Sequence, residues 1–579
     1  MFSSRLKILL FLAAISTACS HRESGPPPKY AFLGFENLSG DASLDWAARG
    51  AGEYLSESLH AAMSGPVLSS DAIVRAGQPL GAHPASVPGT SAARDSAIVA
   101  GAGRIVGGYL ERVSGGVRIT ASEEDAVSHQ TIRTLSATAP SAFAALGLLA
   151  HDFSPQAGPA ETSNAEAFHL YSKALDAPAA DAVALLGQAV QVDPDFGRAW
   201  VLLARTYVAL GDRAHALDLI AQARAHKISA LDQAWLNFDS AALGADPAAS
   251  LAAMTQVAKL DATDGVLARA LAEADTAAGH FAEAADVWKR LTKESPGDVN
   301  AWNQLGYTLS WSGDYAGALA AVAEYGRLRP ADANPLDSRG DIQYWFGKYS
   351  DAAGSYLAAN AKTPGFLSGG ELYKAAWAKY LAGDKTGGDA LLAQFREIRE
   401  KAKDPSIDLF SASWLYRTGR AQEAVALLRK TTIQDAPVIP AIVRAEIAAQ
   451  LAIWDLLAGD RASAAKDVAI GGATGLTSND LLVRFAALPS ASTAEWESRA
   501  AHIAPQLAAL RNPALGYALI LDGKKQAAVP VWEEIVKQST ATDFLARAIL
   551  TRLKGAPLDH AAPPDPANPN PFLAIPDKR

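Results

Sequence analysis

GHFAEAADVWKRLTKESPGDVNAWNQLGYTLSWSGDYAGALAAVAEYGRLRPADANPLDSRGDIQYWFGKYSDAAGSYLAANAKTP, residues 279–364, decides the fold. Within the longer stretch Val266 to Gly365, Gly279, Gly313 and Gly347 stand 34 residues apart. Ala284, Ala318 and Ala352 keep the same step, as do Phe281, Tyr315 and Tyr349, and Pro296, Pro330 and Pro364. Each class has a physical reason to recur. The Gly ends a first helix, where a left-handed residue is needed. The Ala is small because two helices of a hairpin cross there at close range. The Pro follows a second helix that it cannot continue. The period therefore predicts helix–turn–helix units that bury their apolar faces against neighbours.

A fixed 34-residue period of this kind resembles the tetratricopeptide repeat. Extended backwards, the register gives unit starts at 265, 231, 197 and 163. Trp200, Leu203, Ala204, Tyr207, Gly211 and Ala216 fill the repeat positions of the second unit, and Pro194 closes the unit before it. The 231–264 unit keeps the length but puts Phe238 where Ala204 and Gly306 stand elsewhere, which predicts altered local packing. After Pro364 the register slips by two and recovers through Gly383, Gly419 and Gly459. Residues 475–508 are degenerate, and one more unit follows with Leu515, Gly516, Gly523, Ala528 and Trp532. About ten units are expected across 163–550.

The remaining length and composition frame these repeats. A chain of 579 residues exceeds what one core supports. Its 61 acidic and 52 basic residues leave a formal charge of −9, which argues against nucleic acid or anionic lipid as the main partner. The start, Met1-Phe-Ser-Ser-Arg5-Leu-Lys7 followed by Ile8-Leu-Leu-Phe-Leu-Ala-Ala-Ile15 and Ser16-Thr17-Ala18-Cys19, reads as a secretion signal. It resembles a bacterial lipoprotein signal over 1–19. In that pattern Cys19, the only cysteine, is lipidated and becomes the mature N-terminus. Ser16 departs from the pattern, because an aliphatic residue is usual there. The resemblance implies a lipid-anchored, periplasm-facing protein of the bacterial envelope, at the outer membrane. With no second Cys, structural disulfides and Cys-based zinc sites are excluded.

Residues 20–29 read as a Pro-rich tether and 555–579 as a disordered Pro-rich tail. Between tether and repeats lies a different domain, 30–140. Tyr30-Ala-Phe-Leu-Gly-Phe35 reads as a buried strand, Asn37-Leu-Ser-Gly-Asp41 as a turn, and 44–63 as a helix. Pro66-Val-Leu-Ser69 is a candidate second strand, 76–91 a long loop, and Arg104–Val113 with Val117–Ala121 a β-hairpin. YAFLGFENLSGDASLDWAARGAGEYLSESL and GGYLERVSGGVRITA are similar to the α/β module of FlgO-like and TolB-amino-terminal-like proteins. Gly34 stands where that family usually has Pro. The expected fold class is thus multi-domain, with a small α/β amino-terminal domain followed by an all-α solenoid.

Residues with catalytic spacing are scarce. No Walker, HExxH, GxSxG or kinase pattern occurs. Gly101-Ala-Gly103 hints at a dinucleotide turn, but a helix end leading into a strand accounts for it better. Glu123-Glu124-Asp125 could hold a cation, against the plainer reading of a solvated strand end. No cofactor and no metal is expected, and the chain reads as non-enzymatic; a hydrolase with an unrecognised site is a rival. The candidate site is instead a face. Positions 2, 5, 9, 12 and 13 of each first helix share one side at 100° per residue, the side that lines the concave surface in tetratricopeptide proteins. It carries Asn303, Tyr307 and Trp311 in one unit and Asp341, Tyr344 and Trp345 in the next. Aromatics flanked by Asn and Asp suit recognition of an extended segment or helix of another protein. The competing reading buries the Trp pair as core. The function expected is an envelope-anchored scaffold. The alternatives are a periplasmic receptor for a peptide or glycan fragment, or the sensor arm of a signalling system.

Overall fold

A computed structural model describes residues 27–80, 91–434, 439–470, 478–540 and 543–555. The expected signal peptide with Cys19, most of the expected tether, and the expected tail beyond Gly555 lie outside the described residues.

Residues 27–153 form a mixed sheet with helices. Strand β1 (Lys29–Phe32) and the short β2 (Glu36–Asn37) both run parallel to the long β3 (Ala102–Val113). β3 turns back through Gly115 and Gly116 into antiparallel β4 (Gly116–Asp125), which pairs with β5 (Thr131–Ala139). The predicted hairpin is therefore present, with both turn glycines at positive φ. Val67 makes one isolated bridge to Tyr30 rather than a strand. Helix α1 (Asp45–Leu59) covers β1 through buried Ala47, Ala51 and Leu55. Part of the expected loop is helical: α2 (Ser70–Gly77) and α3 (Ser91–Val99) flank it. Gly101, at φ +90°, ends α3 and leads into β3, so no helix follows it to cradle a phosphate. Helix α4 (Ala142–Phe153) packs its apolar side on β4 and β5.

The acidic run on β4 is not a solvated strand end. Glu123 is buried and bonded by Arg133 at 2.6 Å, with Arg104 at 3.7 Å. Glu124 pairs with Arg94 and Asp125 with Arg104. Arginines on the two neighbouring strands and on α3 compensate the charge that the sequence shows as one contiguous block. Among the described residues no His, Cys, Asp and Glu cluster could hold a metal ion.

From Ala165 onward helices pair in succession. They are α5 (Ala165–Ala174) and α6 (Ala179–Val192), α7 (Gly197–Ala209) and α8 (Arg213–Ala223), and α9 (Ala230–Gly244) and α10 (Pro247–Leu260). Then come α11 (Gly265–Ala278) and α12 (Phe281–Glu294), α13 (Val299–Trp311) and α14 (Tyr315–Leu328), and α15 (Asn334–Trp345) and α16 (Tyr349–Lys362). α17 (Gly370–Leu381), α18 (Lys385–Lys401), α19 (Ile407–Arg417) and α20 (Ala421–Gln434) continue the pattern, and paired helices run on to Phe544–Leu553. The repeat glycines do what the spacing requires: Gly211, Gly279, Gly313, Gly347, Gly383, Gly419 and Gly459 all lie at positive φ between paired helices. In the 231–264 unit Ala245 takes the left-handed place instead. Ala284, Ala318 and Ala352 have no exposed surface. Two closing prolines also serve the next unit: the Trp200 indole N–H donates to the Pro194 carbonyl and Trp302 to Pro296, both at 2.9 Å.

The two-residue slip after Pro364 has a local cause. Gly365, Leu367, Ser368 and Gly369 all adopt positive φ, winding the extra residues into a tight turn before α17. By its contacts the chain divides into two compact units, 1–274 and 275–579, so the division falls within the repeats.

Candidate functional site

In the second unit the predicted face is built on α13 and α15. Local sequence starts both helices: Asp298 caps α13 by accepting from the amides of Asn300 and Ala301, and Pro335 sits in the first turn of α15. One helical period then places Tyr307 and Trp311 four residues apart on α13, while Trp345 reaches them from α15. Tyr307 stacks on Trp311 with ring centres 5.9 Å apart. Trp345 lies 5.8 Å from Trp311 and 5.6 Å from Tyr307. Phe281 closes the far side of Trp311 at 5.8 Å. Tyr307, Trp311 and Trp345 are half-buried. The three rings therefore form one cluster that keeps part of its surface in solvent.

Tyr344 does not belong to it. This ring is 4% exposed and packs edge-on against Tyr349 in the core with Ala352 and Tyr356. One residue is a 100° rotation on a helix, and that step separates the core side of α15 from the face carrying Trp345. Asn303 is half-buried; its side-chain oxygen accepts no hydrogen bond among the described residues.

Asp341 is more constrained than its sequence position shows. It accepts from the Tyr307 hydroxyl at 3.1 Å, the Tyr356 hydroxyl at 2.8 Å and Lys374 Nζ at 2.9 Å. Lys374, on α17 in the next unit, also donates to buried Asp337 at 2.9 Å. Burial lowers this lysine's pKa, but the Asp341 and Asp337 charges outweigh it and hold the pKa above the usual value. Burial and then the Asp341 charge push the Tyr307 and Tyr356 hydroxyls far up, so both remain donors. This network ties three successive units together beneath the aromatic cluster. Lys374 escapes a fixed-period reading because it lies beyond the two-residue slip.

The first unit shows what becomes of the equivalent positions there. Counted back from the left-handed residue, Arg198 and Arg205 on α7, and Asp232, Trp235 and Asp239 on α9, correspond to the face positions. The α/β module covers them. Arg198 lies 3.3 Å from Asp71 of α2 and 3.7 Å from Glu57 of α1. Arg75 of α2 binds Asp264 at 2.6 Å, and its guanidinium rests 4.8 Å above Trp235, with that of Arg205 at 4.5 Å. Ser69 donates to Asp261 at 2.8 Å. Burial raises the Glu57 carboxyl to about 7, against the pull of Arg198. In this unit the face is already filled by the chain itself.

Comparison with known proteins gives one family match and several structural likenesses. A tetratricopeptide-repeat family profile matches residues 179–227, the end of one pair and the whole of the next. Among solved structures, the MamA protein is 18% identical over 30% of this chain and 95% of its own, with a TM-score of 0.26. The C-terminal part of a TPR repeat-containing protein from Cytophaga hutchinsonii is 16% identical over 40% and 93%, with a TM-score of 0.29. PilW, a type IV pilus biogenesis factor, is 21% identical over 35% and 96%, with a TM-score of 0.24. No curated protein matches the sequence. Residues 179–227 are thus similar to a tetratricopeptide repeat, and helix pairs of like build follow along the chain.

Proposed function

We propose that this protein is a non-catalytic scaffold of the bacterial envelope, held to a membrane through lipidated Cys19. Its repeats grip an extended segment or helix of another protein on the face formed by Asn303, Tyr307, Trp311, Asp341 and Trp345. The carrying observation is the three-ring cluster. It joins two consecutive repeats and stays half-exposed, whereas the matching positions of the first unit lie under the chain's own module. The polar groups beneath the rings are spent on bracing helices, which suits a rigid platform better than a reacting centre. The amino-terminal module, similar in sequence to FlgO-like and TolB-amino-terminal-like domains, acts in this reading as a cap that closes the first repeats.

The test is the double variant Trp311→Ala with Trp345→Ala, compared with wild type by affinity capture from detergent-solubilised envelope and by thermal unfolding. Truncating a central aromatic of an interface commonly costs about 2 kcal/mol or more, roughly 30-fold in affinity. A variant that melts normally and loses the captured protein supports the proposal. A variant weakened by several kcal/mol shows the indoles to be core, since a buried Trp costs about 3–5 kcal/mol to truncate. A stable variant that still captures the same protein places the contact elsewhere.

A further inference from the structure

Farther along the second unit a different pair of side chains shares an unmet requirement. Trp377 on α17 is 3% exposed, and Arg417, the last residue of α19, is partly buried above it. The guanidinium carbon lies 4.1 Å from the centre of the Trp377 ring. Arg417 Nη1 and Trp377 Nε1 are both shielded from water, and neither has an acceptor among the described residues. Two N–H donors on stacked side chains thus lack partners, a costly state for buried polar groups.

The charge is uncompensated as well. Among the described residues no carboxylate pairs with Arg417. The groups acting on it are the Tyr373 and Tyr344 phenols and a second cation, Arg552, and burial lowers its pKa. Other shielded arginines of this protein do have acids: Arg198 has Asp71 and Glu57, Arg399 has Asp404, and Arg461 has Asp522. The carbonyl end of α19 gives Arg417 some compensation, since cations are favoured there, but it leaves Nη1 without an acceptor. Trp414 lies 4.5 Å from Trp377 and Tyr380 5.7 Å from Trp414, so the surroundings are aromatic.

We propose that Arg417 and Trp377 form a binding site for a single carboxylate group of a ligand that carries an apolar or aromatic body. One spare positive charge calls for a monoanion. The planar fork of a guanidinium matches a carboxylate with two parallel N–H bonds. The indole N–H supplies a further donor, and the partly exposed ring of Tyr380 offers surface to the ligand's body. The site stands independently of the aromatic face on α13 and α15.

The experiment titrates the full chain with N-acetylphenylalanine and with its amide, which differ only in the carboxylate, at constant ionic strength. Calorimetry and tryptophan fluorescence report binding. The acid should bind at least about tenfold tighter than the amide, the scale of one charge-assisted hydrogen bond. Arg417→Gln should abolish that preference and, without ligand, melt no lower than wild type, because it removes an uncompensated charge. Trp377→Phe keeps the ring, deletes the N–H, and should weaken the acid several-fold. It serves as the readout should Arg417→Gln fail to fold. Two peptides, one with a free terminus and one amidated with an internal Glu, tell a terminal from a side-chain carboxylate; tighter binding of either supports the site. Equal binding of acid and amide, no binding of either, or a preference that survives both substitutions overturns the proposal.

Discussion

Glu371 offers a measurable consequence of how this fold buries charge. It sits in the first turn of α17 with no exposed surface, and neither carboxylate oxygen accepts a hydrogen bond from another residue. Burial raises its pKa from 4.5 to about 7; Asp337 adds to the shift, while its own amide, Lys374 and Arg399 oppose it. A carboxyl whose pKa is higher folded than unfolded favours the native state fully below the unfolded value, and that favour is lost as pH rises through the folded one. The shift from 4.5 to about 7, at 1.36 kcal/mol per unit, amounts to about 3 kcal/mol lost between pH 4.5 and 7 and constant above. Glu371→Gln fills the same space and does not titrate. The variant should match wild type near pH 4.5 and exceed it by up to about 3 kcal/mol at pH 8. Urea unfolding of both proteins across this range, taken as a difference, cancels other titrating groups. A difference that stays flat with pH, or a variant less stable at pH 8, would refute the reasoning.

Three further outcomes are expected. Ala318→Leu, at a helix crossing with no exposed surface, should cost about 1–3 kcal/mol by overpacking, seen as a lower melting temperature. Arg198→Ala should destabilise the first unit by about 3–5 kcal/mol, because buried Asp232 and partly buried Glu57 and Asp71 would lose a shared cation; denaturant unfolding and protease sensitivity of the module would show it. Cys19→Ala should shift the protein to the soluble fraction or stall its processing, since stable anchoring requires more than one acyl chain; unchanged membrane retention would remove the anchor from the proposed function.

The sequence by itself determined the elements that repeat. A left-handed residue between paired helices, a small residue at their crossing and a proline after the second helix are local requirements, so a 34-residue period in Gly, Ala and Pro reports them directly. The hairpin of β3 and β4 was legible for the same reason, through Gly115 and Gly116. Tertiary structure decided what lies far apart in the chain. Lys374 reaches Asp337 and Asp341 across a turn that breaks the period, and Arg198 meets Asp71 from 127 residues away. Helical periodicity placed Tyr344 and Trp345 on one broad face, yet only packing against Tyr349 and Tyr356 assigns the first to the core and leaves the second half-exposed. A periodic sequence fixes which side of a helix a residue occupies to within about one 100° step. Which neighbour covers that side depends on the rest of the fold.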